Sequence, residues 1–174
     1  MQIDIVVAKI ALSILDFGKI SDNCLEHSLE MLETLDHRLA FFNAVFISHK
    51  QRFERCFTDE LRDSEIRNFI EDYSMLFGAS FIDVDLVLEI FWFTVIGDVY
   101  STRFSECCAK LIRLNSECNI IEFKYAILSR IISMIVRCRI YGREPIDTYL
   151  RECVDEVDRL HLEYGDIKQI SFLE

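Results

Sequence analysis

Apolar residues recur along most of this chain at intervals of three and four, the spacing that lines one face of an α-helix. Over Ile3–Phe17, the residues Ile3, Val6, Val7, Ile10, Ile14 and Phe17 fall on one stripe, and Gly18 stops the run. Asn23 and Glu26, spaced as a capping box, predict a second helix carrying Leu25, Leu29, Leu32 and Leu35. A third follows without a strong break and carries Leu39, Phe42, Phe46, Phe53 and Phe57. Asp63 or Ser64 is placed to cap a fourth, with Ile66, Phe69, Ile70 and Tyr73 inward.

Gly78 opens a short linker, after which Asp83 or Asp85 can cap a fifth helix running from about Leu86 to Phe104. Its first half is apolar almost all round, from Leu86 through Ile96, which marks a buried helix. The β-branched and aromatic content of Ile90–Ile96 makes a strand the rival reading, but the length of the segment and the lack of neighbouring strand signals favour helix. A short helix is predicted from Cys107 to Leu114. Asn119 with Glu122 opens a long one to about Tyr141, with Ile121, Ala126, Ile127, Ile131, Met134, Ile135 and Cys138 as its core positions. Pro145 suits a first helical position, and the eighth helix carries Ile146, Tyr149, Leu150, Cys153, Val157 and Leu160 before Gly165 ends it. The pattern predicts an all-α bundle of about eight helices, one domain over residues 1–174, around a central hydrophobic helix at about 86–104.

Composition narrows the class. One proline and five glycines leave little room for a turn-rich β fold, and 51% hydrophobic residues exclude intrinsic disorder. The net charge of −11 disfavours nucleic acid and anionic membrane surfaces and favours a basic or amphipathic partner. Seven cysteines, an odd number without repeated spacing, read as reduced and mostly buried thiols in a cytoplasmic protein. Asp4 and Lys9 interrupt the first apolar stretch, against a signal peptide, and no run approaches the roughly 20 apolar residues of a membrane span.

Catalytic and cofactor signatures are missing. No glycine-rich phosphate loop and no Cys-x-x-Cys pair occurs, and His27, His37, His49 and His161 are isolated from one another in sequence. Cys107 and Cys108 are adjacent, so on a helix they diverge by about a hundred degrees and make a poor metal pair. Lys50, Arg52 and Arg55 beside Glu54, Asp59 and Glu60 read as a solvated helix face. The expectation is a non-enzyme without metal or cofactor that works by binding protein.

Several stretches carry a resemblance. Leu76-Phe77-Gly78-Ala79-Ser80-Phe81-Ile82-Asp83-Val84, running into Ile90-Phe91-Trp92-Phe93, is similar to the first homology region of the B-cell-lymphoma-two (Bcl) family of apoptosis regulators. Leu39, Asn43, Ala44 and Phe46 sit where that family's third motif has Leu-x-x-x-Gly-Asp-x-Phe. Ile146-Asp147-Thr148-Tyr149 resembles its second region. The resemblance spans about Ile3 to Leu160 and is most similar to divergent viral members. It implies a groove that captures the amphipathic death-promoting helix of pro-apoptotic proteins, lined by Phe42, Phe46, Phe53, Phe57, Phe69, Tyr73 and Phe91. Leu88 and Glu89 belong to the same implied site but depart from the family. Its Asn-Trp-Gly-Arg maps onto Leu86-Val87-Leu88-Glu89, where Glu89 repels the aspartate of a death-promoting helix and Leu88 crowds its approach.

Two functional expectations follow. One is inhibition of apoptosis by helix-in-groove binding. The other is a decoy that binds innate-immune or cell-death signalling adaptors through another face, with homodimer formation as one route. A secreted four-helix cytokine is a weaker third reading, opposed by the odd cysteine count.

Overall fold

Gly18 ends the first helix, α1 (Ile3–Phe17), as its sequence predicts. It takes the left-handed φ of 82° and its N–H closes on the Ile14 carbonyl. A side chain there would also be crowded, because its Cβ would lie 3.1 Å from Arg52 Nη2, which would have to give way. The computed structural model of the protein describes residues 2–170, and among them are eight helices and no strand. The chain divides into two compact units at Val84/Asp85.

The first unit holds α1, α2 (Asp22–Leu29), α3 (Leu35–Glu54) and α4 (Asp59–Phe77). Helix α3 is its centre: α1 and α4 pack against it, and α2 touches α1 and α4. The starts of α2, α3 and α4 correct the predicted caps. Ser21, Thr34 and Thr58 each accept a hydrogen bond from the backbone N–H three residues on, and Asn23, Asp63 and Ser64 do not cap. Each hydroxyl satisfies one of the donors that a helix start leaves unpaired. The second helix is therefore shorter than expected. Leu32 falls between α2 and α3, Leu35 opens α3, and Phe57 lies beyond the end of α3.

The second unit holds α5 (Val84–Val95), whose first residue lies at the division, with α6 (Thr102–Asn115), α7 (Ile121–Arg137) and α8 (Ile146–Tyr164). Helix over Ile90–Ile96 is correct through Val95, but the predicted extension to Phe104 is not. Asp98 accepts a hydrogen bond from the Tyr100 N–H at 3.0 Å, which turns the chain. Ser101 then caps α6 by accepting from the Phe104 N–H. Nor is α5 sealed all round. Leu86, Val87, Ile90, Phe91 and Phe93 are buried, while Leu88, Glu89, Trp92 and Val95 are half-buried.

Phe93 stacks on Phe104 at 5.6 Å and Arg103 lies 5.0 Å over the Trp92 ring, which ties α5 to α6. Helices α6, α7 and α8 pack on one another, α7 against α8 most extensively. Asn119 forms no cap, since Ile120 occupies the cap position of α7 without a side-chain hydrogen bond. Burial pushes the Cys108 and Cys153 thiols up to about 12, and the negative charge of Cys153 adds to it at Cys108 and that of Glu152 at Cys153. Among the described residues every cysteine is a free thiol. No described helix is long and apolar enough to cross a membrane.

Candidate functional site

The predicted groove aromatics of the first unit come together, but as core. Phe42, Phe46, Phe53, Phe69 and Tyr73 are buried, whereas Phe57 is 91% exposed. Phe42 and Phe46 stack at 5.6 Å on α3. Tyr73 and Phe69 of α4 meet them edge-on at 6.1 and 5.9 Å. The cluster continues through Phe77 to Phe81, with centroids 5.1 and 4.9 Å apart. The Tyr73 hydroxyl, which needs a partner once buried, donates to the Ile82 carbonyl. Such ring pairs add about 0.5–1.5 kcal/mol each beyond the area they bury, so opening this cluster is costly. Phe57 stands alone outside it, in the turn between α3 and α4.

Beside the rings lies a polar group that sequence reasoning missed. His49, wholly buried, sits between two carboxylates. Its Nδ1 is 2.8 Å from Glu65 Oε2 and its Nε2 is 2.7 Å from Asp72 Oδ2. Glu65 and Asp72 are only 5% and 3% exposed. A carboxylate oxygen lies against each ring nitrogen, an arrangement that favours the imidazolium, whose two N–H groups can both donate. Arg52 completes the set: its Nε donates to Glu65 Oε1 at 2.8 Å and its Nη1 to the Leu15 carbonyl at 2.9 Å. Asp72 accepts from the Ile20 N–H at 3.2 Å. Two positive charges thus meet two negative ones.

Burial works to lower the His49 pKa, but the Asp72 and Glu65 hydrogen bonds and charges outweigh it, and the value is raised. Burial likewise works to raise Glu65, and the His49 and Arg52 bonds more than reverse it. The network joins α1, α3 and α4, with His49, Glu65 and Asp72 buried and Arg52 half-buried at its rim. Arg52 is therefore not part of a solvated face, as its neighbours in sequence suggested. Lys50 and Glu54 do form the expected surface pair, at 3.8 Å.

In the second unit, Phe91 is buried and Leu88 half-buried. Glu89 is engaged locally. Its Oε1 lies 3.7 Å from Lys110 Nζ, and Cys107 Sγ donates to its Oε2 at 3.5 Å. Burial and Glu89 push the Cys107 thiol well above its ordinary range.

This unit also contains a cavity of about 440 Å³ where α6 ends against α7 and α8. Ile112 and Leu128 supply apolar wall; Asn115, Lys124, Glu152 and Glu156 supply the polar part. Lys124 is 7% exposed, with Nζ 3.3 Å from Glu156 Oε1 and donating to the Ser116 carbonyl at 3.4 Å. Arg159, at the same mouth, binds Glu156 through Nε at 2.9 Å and Glu163 through Nη1 at 2.8 Å. The Arg159 hydrogen bond holds Glu156 below the usual carboxylate range, with Lys124 adding to it. Asn115, 1% exposed, donates through Nδ2 to the Lys124 carbonyl at 3.1 Å, while its Oδ1 has no partner. A buried amide oxygen left unpaired costs about 1–3 kcal/mol.

Both polar groups follow from the helical stripes. His49 shares the 42-46-49-53 face of α3, and Glu65 and Asp72 share the 65-69-72-76 face of α4. Charges written into apolar stripes were the signal available in the sequence. Lys124 next to Phe123 on α7 gave the same signal more weakly. Among the described residues no group of three or more His, Cys, Asp or Glu is arranged to hold a metal ion. No family model, curated protein or solved structure matches the chain.

Proposed function

We propose that this chain is a Bcl-like protein-interaction module that acts as a decoy, binding a cell-death or innate-immune signalling adaptor through an outer face. The observation that carries this reading is the burial of six of the seven aromatics that a helix-capturing groove requires. A partner helix needs a contiguous exposed apolar surface to dock on, and Phe42, Phe46, Phe69 and Tyr73 are packed on one another instead. Glu89 adds to it. A carboxylate stands where a death-promoting helix presents its aspartate, and it is occupied by Lys110 and Cys107. The surplus of acidic residues suits a basic adaptor surface. The Bcl arrangement of the eight helices, action in the cytoplasm and self-association belong to this proposal.

The rival reading, inhibition of apoptosis by sequestering a pro-apoptotic helix, requires the α3–α4 aromatic cluster to open. Fluorescence anisotropy with a panel of labelled death-promoting helix peptides separates the two. The expected result is no saturable binding up to tens of micromolar, with at least one purified signalling adaptor binding in the same range. Submicromolar binding of a death-promoting peptide, with backbone shifts concentrated on α3 and α4, would return the chain to the groove reading.

A further inference from the structure

We infer that Arg103, Arg137, Arg139 and Arg143 form a docking surface for an acidic segment of a protein partner. The inference goes beyond the reading above and does not depend on that partner being a signalling adaptor.

Two turns of the second unit bring these arginines together. Tyr100, in the turn before α6, donates through its hydroxyl to the Cys138 carbonyl at the end of α7, at 3.4 Å. Arg143 lies over the same ring, 5.3 Å from its centroid. Arg137 and Arg139 flank Cys138 in the chain, and Arg103 follows just after Tyr100 and lies on Trp92. All four arginines are exposed, and none forms an ion pair among the described residues. The carboxylates of the two turns are committed elsewhere. Asp98 accepts from the Tyr100 N–H at 3.0 Å and Asp147 from the Gly142 N–H at 2.6 Å. Glu144 accepts from the Thr148 N–H and from Arg151 Nη2, each at 3.3 Å. In a chain of net charge −11, this patch holds donors without carboxylates.

Fold stability alone does not place these residues. The negative pole of α7 accounts for Arg137, in its last turn. Arg103 lies in the first turn of α6, the positive pole, where a cation is unfavourable. Arg139 has a φ of 53°, just past α7. Its N–H meets the Val136 carbonyl, and the Ile140 N–H meets that of Ile135. Glycine is the usual occupant of that position, because it takes a left-handed φ without strain. Two arginines thus stand where the local rules of helix ends disfavour them, which is a mark of functional positions.

The chemistry of the partner follows from the guanidinium. Its N–H fork matches a carboxylate, and stacking on a ring leaves its edge free to donate. Arg103 and Arg143 rest on different rings, so the patch offers separate forks rather than one convergent pocket. Carboxylates spaced along a peptide suit that arrangement better than a single phosphate. Nucleic acid or an anionic membrane would also meet the rest of the acidic chain and be repelled by it. A short segment escapes most of that repulsion, because charges beyond about 8–10 Å are screened.

The test is fluorescence anisotropy of the full chain with labelled octaglutamate, octaglutamine and a single-stranded oligonucleotide, with sedimentation of phosphatidylserine-containing vesicles beside it. Saturable binding of octaglutamate at or below about 100 μM in about 50 mM salt is expected, at least about tenfold tighter than octaglutamine. Arg143→Gln is expected to weaken it about threefold or more. Arg67→Gln, the same charge change on the exposed face of α4, is expected to weaken it less than about twofold. Arg139→Gly separates docking from a structural role. It is expected to raise the thermal midpoint by about 1–4 °C while weakening octaglutamate about threefold or more. No saturation at about 1 mM, equal binding of octaglutamine, or tighter binding of the oligonucleotide or vesicles overturns the inference. So do equal effects of Arg143→Gln and Arg67→Gln, and an Arg139→Gly variant that loses stability or binds as tightly as wild type.

Discussion

The two units bury charge in opposite ways. In the first, His49, Arg52, Glu65 and Asp72 form a closed set in which each charge meets another at 2.7–2.8 Å. In the second, Lys124 is nearly as deep but reaches its carboxylate at only 3.3 Å, beside a cavity and an amide oxygen with no donor. A buried polar network whose members are all satisfied fixes a packing arrangement, whereas one left incomplete costs stability at the unpaired group. The closed set thus sits in the unit whose aromatic-rich α3 and α4 suggested a groove, and the cavity lies in the other.

The sharpest way to break this contrast is to remove the centre of the closed set. His49→Ala leaves two buried carboxylates facing each other, and a loss of about 3–5 kcal/mol is expected in urea unfolding. Against a total stability of about 5–15 kcal/mol, that is enough to bring the chain near the threshold of folding. Lys124→Met is the matched change in the second unit. It is expected to cost about 1 kcal/mol or less, because Glu156 keeps Arg159 as a partner. Similar losses for the two variants would erase the contrast between the two networks.

A second separation is by pH. The raised His49 pKa means its contribution is complete below its ordinary 6.5 and disappears as pH climbs through the folded value. The lowered Glu65 pKa means its contribution is complete above its ordinary 4.5 and disappears as pH falls through the folded value. The first unit is therefore expected to be most stable between about pH 4.5 and 6.5 and to weaken on either side. Unfolding midpoints collected across pH check this. A His49→Gln background that keeps the alkaline decline would show that another group causes it.

Smaller effects refine the picture. Gly18→Ala forces a side chain into a left-handed φ and against Arg52. A loss of about 1–2 kcal/mol is expected, read from the shift in thermal midpoint. At the low end, Lys50→Ala breaks a partly exposed pair with Glu54 and is expected to change stability by less than about 0.5 kcal/mol. A large effect there would restore the idea that this face of α3 is organised by surface pairs.

How far the sequence led depends on the kind of signal. The stop of α1 at Gly18 and of α8 at Gly165 was legible because a glycine at a helix end has few other uses. The helical reading of α5 held because its apolar run lacked strand neighbours, yet its end was misplaced. The hydrophobic pattern resumes at Phe104, and that continuity masked the turn made by Gly97 and Asp98. Cap choice was misread wherever an Asn or Asp competed with a Ser or Thr upstream, as Asp63 did with Thr58. The His49 network was beyond spacing alone. His49 and Glu65 are 16 residues apart and meet only when α3 and α4 pack. For the same reason the packing of Phe42, Phe46, Phe69 and Tyr73 on one another, and the exposure of Phe57, had to come from the fold.

One bond in the closed set reaches outside regular structure. The Ile20 N–H belongs to the short link between α1 and α2 and has no helical carbonyl, yet it is held by the Asp72 carboxylate on α4. Its deuterium uptake is therefore expected to follow the opening of the Asp72 network, to the extent that the linker does not open by itself. A linker amide that exchanges as slowly as the middle of α3 would serve as a built-in clock for how often the unit comes apart.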